Sequence, residues 1–210
     1  MPLDRDLIRH TKGFLEEEEG DHLYRVALAA APLGPCLEIG SYCGKSTICI
    51  GTACRESGQA LFAIDHHRGS EEQQPGEEYF DPALFDPVAG RIDTFRYFRD
   101  TLARAGLEDT VVSVVCRSEL AARAWGTPLS LVFIDGGHSL DAVSADYRNW
   151  SPHLMPGGWL VFHDVFPDPS KGGQAPFQVY REALASGMFE EHSFIQSLAV
   201  LLCKKPSPSI

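Results

Sequence analysis

No stretch of this chain reaches the ~18 consecutive apolar residues that a membrane span requires, and its first residues, Met-Pro-Leu-Asp-Arg-Asp, hold no apolar secretion signal. No membrane partner is therefore expected. Basic residues are scarce, with 18 Lys and Arg against 29 Asp and Glu, a net charge of −11. A nucleic-acid partner would want a basic face, so that class is set aside. The six cysteines include no C-x-x-C pair. They read as reduced thiols of a cytoplasmic protein, not as disulfides or a zinc site. No internal repeat is visible. What is there is 44% apolar and 22% charged over 210 residues, most simply one domain spanning 1–210.

The densest signal is Cys36 to Thr47, Cys-Leu-Glu-Ile-Gly-Ser-Tyr-Cys-Gly-Lys-Ser-Thr. A short apolar run breaks at Gly40, and from Lys45 the chain can be helical, which makes a strand, a glycine turn and a helix. Glycines allow the sharp turn and close backbone approach to a ligand, and the helix behind presents unpaired N–H groups. Spacing separates the ligands that use such a turn. A dinucleotide fingerprint needs G-x-G-x-x-G, whereas three residues lie between Gly40 and Gly44. A phosphate-cradling loop needs G-x-x-x-x-G-K-[ST], and Gly40 to Ser46 falls one residue short. A third class keeps an acid before the first glycine. Glu38 would repel phosphate but suit a cationic or hydroxyl-bearing ligand.

The remaining elements follow in order. Two helices are expected within residues 3–31, the first carrying Leu7, Ile8 and Phe14 and the second running from His22 to Ala31. The acids Glu16 to Glu19 between them read as a solvated helix end. Strands are expected at Ala60–Ile64, Val111–Cys116, Leu129–Ile134 and Trp159–Phe162, with Pro156-Gly157-Gly158 as a turn before the last. Helices are expected over Thr94–Ala105, from Ser118, from Ser139 to Trp150 and over Phe177–Ala185, and two strands close the chain within Glu190–Lys204. Residues 66–92, with three prolines and no periodicity, read as an insertion over the carboxyl end of the sheet. It could serve as a mobile lid or as a contact in a homo-oligomer. A frayed tail is expected from Pro206 onward, 206–210. Alternating strands and helices make the fold α/β with a mostly parallel sheet.

Polar clusters fall at successive strand ends: Glu38 to Gly44, Asp65-His66-His67, Asp135-Gly136-Gly137-His138, and His163-Asp164. Ligands of open α/β sheets bind at the carboxyl ends of the strands, so the clusters should converge. Asp65 lies 21 positions beyond Gly44, about where a Rossmann-like fold places an acid for ribose hydroxyls. His66 and His67 read as loop residues.

Together the Leu37–Thr47 stretch, Ile-Asp-Gly-Gly-His, and Trp-Ser-Pro-x-Leu-x-Pro-Gly-Gly-Trp-Leu-Val-Phe-His-Asp resemble class I S-adenosylmethionine-dependent methyltransferases. More narrowly, they resemble small metal-dependent O-methyltransferases of the catechol and sugar or macrolide types. The resemblance covers nearly the whole chain. It implies a Rossmann-like seven-stranded sheet with an antiparallel C-terminal strand and helices on both faces. It also implies that Glu38, Gly40, Ser41, Tyr42, Gly44 and Ser46 surround the methionine part of S-adenosylmethionine. Asp65 and His66 would take the ribose, Ser118 and Glu119 the adenine edge, and Asp135 would also lie on the cofactor. Asp135, His163 and Asp164 would hold a divalent cation, Mg²⁺ or Mn²⁺. His163 departs from the pattern, because the best-known relatives carry a carboxylate there, and an imidazole suits Mn²⁺ better than Mg²⁺. His138, with Asp135, would be catalytic, His138 as general base kept neutral by the nearby cation. The acceptor would be a small hydroxylated molecule. Two other readings stand beside this one: a P-loop-like nucleotide-binding enzyme, and a non-catalytic module that binds S-adenosylmethionine without turnover.

Overall fold

The computed structural model describes residues 2–204; the tail expected from Pro206 lies outside the described residues. Two helices, α1 (Arg5–His10) and α2 (Glu17–Ala30), precede β1 (Cys36–Ile39), α3 (Lys45–Glu56) and β2 (Leu61–Ile64). An insertion with a two-stranded hairpin, β3 (Phe85–Asp86) and β4 (Arg91–Ile92), leads to α4 (Phe95–Ala105) and β5 (Val111–Val114). Then come α5 (Ser118–Ala122), β6 (Leu129–Ile134), α6 (Leu140–Trp150), β7 (Leu154–Phe162), α7 (Ala175–Ala185), β8 (Phe189–Ile195) and β9 (Leu198–Cys203).

Seven strands form one sheet in the order β5-β2-β1-β6-β7-β9-β8. All neighbours are parallel except where β9 runs antiparallel between β7 and β8. The expected seven-stranded architecture is therefore present. Every residue of β6 is buried, and alternation along it serves two cores. Leu131 and Phe133 face α1 to α4, while Val132 and Ile134 face α6 and α7. Burying each large apolar side chain of this kind contributes roughly 1.5–3 kcal/mol.

The chain winds one way from β1 to β5 and the other way from β6, so the topological switch point lies between β1 and β6. There the strand ends are tied together, the amide of Asp135 donating to Ile39 O at 2.9 Å and that of Gly40 to Ile64 O at 3.0 Å. This is where an open α/β sheet places its ligand.

Several local expectations are corrected. The second helix starts at Glu17, not His22, because Glu19 reaches back to accept from the Glu16 amide at 3.1 Å and caps the first turn. Glu19 itself is 1% exposed, so the acidic run is not wholly solvated. Phe14 lies beyond α1 and is exposed. Pro156 to Gly158 lie inside β7, opposite a register shift between Leu129 and Leu131 that absorbs the irregular backbone. The insertion carries two short 3₁₀ turns, Glu71–Gln73 and Pro82–Leu84, besides its hairpin. Among the described residues no helix is long and apolar enough to cross a membrane.

Candidate active site

At the carboxyl edge of the sheet lies a cleft of about 840 Å³. Gly40, Ser41, Tyr42, Ser46, Asp65, His66, Ser118, Glu119, Asp135, His138 and Asp164 all line it. Sequence positions spread over more than half of the chain thus meet in one place. Three expected residues do not reach it: Glu38, Gly44 and His163.

The glycine turn explains two of these. Gly40 has φ 86°, and a Cβ there would lie 2.0 Å from the Asp135 carbonyl oxygen, so the two strand ends touch through backbone. Glu38 is fully buried beneath this turn. Its carboxyl oxygens accept from the Ser46 and Thr47 hydroxyls at 2.5 Å each, on the first turn of α3. The acid therefore organises the turn from below and does not line the cleft. Gly44 is needed for packing: at φ 93°, a Cβ would meet Thr101 Cγ2 at 3.0 Å. Ser46 lines the cleft, yet its hydroxyl is committed to Glu38.

Burial pushes the Glu38 carboxyl up to about 8, against the pull of its two hydroxyl donors. Folding therefore takes up a proton at neutral pH. A raised pKa contributes stability that is complete below the unfolded value and is lost as pH rises through about 8. Glu38→Gln, which copies the neutral acid, should fold well and should not share the parent's loss of stability between pH 5 and 8. Glu38→Ala, which leaves two buried hydroxyls without their acceptor, should cost about 1–3 kcal/mol. Denaturant titrations across that pH range check both; equal pH profiles for Glu38→Gln and parent would place the ionised acid in the fold.

Asp65 staples the turn from the other side. Its Oδ2 accepts from the Tyr42 amide at 2.8 Å and its Oδ1 from the His67 amide at 2.6 Å. Both of those residues are left-handed, with φ 47° and 56°, a conformation that costs free energy away from glycine. His66 lines the cleft, and its Nδ1 accepts from the Arg68 amide. Each Asp65 oxygen keeps a second lone pair, and the residue lines the cleft. Ser41 Oγ is buried and has no partner among the described residues.

On the opposite wall Ser118 Oγ donates to Asp146, an acid inside α6 that the sequence reading passed over. Burial, then the nearby Glu119 charge, pushes Asp146 up to about 6, the Ser118 hydroxyl opposing them. No local motif marks it, because its partner comes from α5.

Beside these lies the polar centre. Asp135, His138 and Asp164 bring ligand atoms within 4.8 Å of one another. His138 sits between two carboxylates, Nε2 at 3.1 Å from Asp164 and Nδ1 at 3.1 Å from Glu72 of the insertion. Hydrogen bonding to Asp164 leads, with charge and Glu72 adding to it, and the imidazole rises to about 9. In the absence of a cation these two carboxylates favour the protonated ring; the neutral base expected from sequence is the form beside a bound cation. Burial alone would raise Asp164, but His138 and His163 hold its carboxyl well below the usual range.

His163 is placed differently from expectation. Both ring nitrogens are engaged, Nε2 with Glu19 and Nδ1 with Asp135, each at 3.1 Å, and the side chain is buried. Burial disfavours its charge, yet Asp135, Asp164 and Glu19 together raise its pKa well above the ordinary value. An imidazole with a carboxylate at each nitrogen donates from both and has no lone pair for a metal. His138 takes its place in the cluster.

A family model described as a methyltransferase domain matches residues 37–165, from β1 to just past Asp164. The chain belongs to that family, and its fold is that of class I S-adenosylmethionine-dependent methyltransferases. The solved structures it resembles include TomG, an O-methyltransferase of Streptomyces achromogenes involved in tomaymycin synthesis, in complex with S-adenosylmethionine. That match has 17% identity, TM-score 0.64, and covers 91% of this chain and 82% of that one. An O-methyltransferase from Bacillus cereus, bound to S-adenosylhomocysteine, matches at 15% identity and TM-score 0.65, covering 91% and 83%. A Corynebacterium glutamicum protein matches at 17% identity and TM-score 0.68, covering 94% and 85%.

Proposed function

We propose that this enzyme transfers the methyl group of S-adenosylmethionine to a hydroxyl oxygen of a small molecule, with a divalent cation assisting. The observation that carries this reading is the meeting of Asp135, His138 and Asp164 beside the Gly40–Tyr42 turn in one cleft. A volume of about 840 Å³ suits a cofactor and a small acceptor together. TomG and the Bacillus cereus enzyme hold S-adenosylmethionine and its product.

The residues fit the cofactor. Gly40, Ser41 and Tyr42 would hold its methionine end, the buried unpartnered Ser41 hydroxyl finding a partner there. Asp65 and His66 would face the ribose, and Ser118, Glu119 and Asp146 the adenine edge. Asp135 and Asp164 supply carboxylate oxygens, donors that suit Mg²⁺ and Mn²⁺, and His138 lies beside them as the base. A cation bound there would polarise the acceptor hydroxyl. His138 would take the hydroxyl proton. Alignment of the acceptor oxygen with the methyl supplies further acceleration by proximity. The free cysteines suit a reducing compartment such as the cytoplasm.

Calorimetry with S-adenosylhomocysteine and with ATP tests the cofactor assignment against the nucleotide reading. Tight binding of the first and none of the second is expected; the reverse would overturn the proposal. Activity should fall on chelation and return with Mn²⁺, and full activity in a metal-free sample would remove the cation from the mechanism.

A further inference from the structure

Glu19 is a carboxylate 1% exposed on a helix outside the matched family region, and among the described residues its side chain hydrogen-bonds to its own helix cap and to remote parts of the chain. Its Oε1 accepts from the Ser197 amide at 2.8 Å and the Ser197 hydroxyl at 2.7 Å, in the turn between β8 and β9. Its Oε2 accepts from the Glu16 amide and from His163 Nε2, each at 3.1 Å. The other side of the same ring lies 3.1 Å from Asp135 Oδ1 and 3.5 Å from Asp164 Oδ2. A chain of hydrogen bonds thus runs from the N-terminal helix, through one imidazole, to Asp135, and the same ring nitrogen forms an ion pair with Asp164.

We infer that Glu19 is a positioning residue: it fixes the ring of His163, and the ring fixes Asp135 and Asp164 so that their remaining oxygens face the cleft. Two neighbouring carboxylates repel each other and would turn apart if left free. A ring held only by Asp135 could rotate with it; the buried bond to Glu19 removes that freedom. The stapling of Ser197 is a separate task, carried by the other oxygen. Outer groups of this kind orient ligating carboxylates, and their loss commonly weakens metal binding or activity ten- to a hundredfold. The inference rests on the reading of Asp135 and Asp164 as cation ligands.

The test uses the full chain with Mn²⁺ alone as probe. Glu19→Met fills the space without a hydrogen bond. Glu19→Asp keeps a buried charge but draws the carboxylate back from His163, and it serves where the first variant does not fold. Ser197→Ala removes only the hydroxyl bond on the stapling side and leaves the amide bond and His163 untouched. Calorimetry should show Mn²⁺ affinity about ten- to a hundredfold weaker in the Glu19 variants, unchanged affinity for S-adenosylhomocysteine, and parent-like Mn²⁺ binding in Ser197→Ala. Glu19 variants that bind Mn²⁺ like the parent, or that lose both probes together, overturn the inference. A parent that takes up no Mn²⁺ sinks the cation reading instead, and the crystal structure of Glu19→Asp then decides. His163 turned away from Asp135 supports the relay, and an unmoved pair overturns it.

Discussion

His138→Gln should lower methyl transfer by about 10²–10⁴-fold while leaving cofactor affinity alone. Glutamine keeps a hydrogen bond to Asp164 or Glu72 but cannot take the acceptor's proton. The pH dependence gives the finer test. Asp164 and Glu72 hold the parent imidazole at about 9, so it must lose its own proton before it can accept another. With cations chelated, any residual parent rate should therefore rise with pH toward about 9. A bound cation at Asp164 competes with His138 for that carboxylate and should move the rise to lower pH. The variant should lack this limb. A variant that matches the parent at every pH would show that His138 only orders the loop.

Asp65→Ala should weaken S-adenosylhomocysteine binding by a comparable factor, measured by calorimetry. On the proposed reading Asp65 would make two charge-assisted hydrogen bonds to the ribose, and their loss, at about 1.5–3 kcal/mol each, would correspond to roughly 10²–10⁴-fold. The structure adds a second reason. Without the carboxylate, Tyr42 and His67 lose the acceptor that holds their left-handed backbones, and the glycine turn loosens. Asp65→Asn separates the two contributions, since one amide oxygen can still hold one of the two amides. An alanine variant that binds like the parent would place the ribose elsewhere.

Strand-end chemistry was legible in the sequence because an open parallel sheet delivers all its carboxyl ends to one edge. Gly40, Asp65, Asp135, His138 and Asp164 needed only correct strands to be placed together. What stayed hidden depends on partners remote in sequence. Glu19 looks like one of four solvated acids, and only His163, across the fold, and Ser197 make it a buried anchor. Asp146 reads as an ordinary polar position of an amphipathic helix until Ser118 is seen against it. Glu38 did carry a local signal: two hydroxyls at the start of the following helix face back toward the strand that precedes them. The insertion has no period to read, yet it reaches the centre through Glu72 on His138 and rests on the N-terminal segment through Tyr79 on Phe14 and Lys12 on Asp81. These same irregular segments contribute Lys12, Phe14, Glu71 and Glu72 to the cleft wall and carry no readable acceptor motif.

The central claim is transfer to oxygen, and one measurement addresses it directly. The purified protein, with Mn²⁺ and methyl-labelled S-adenosylmethionine, is incubated with a panel of small hydroxylated compounds, and the labelled product is located by mass spectrometry and NMR. The account predicts a label on an acceptor oxygen that disappears with chelation. A protein that binds S-adenosylhomocysteine yet labels no hydroxylated compound, or places the methyl on nitrogen or carbon, would contradict it.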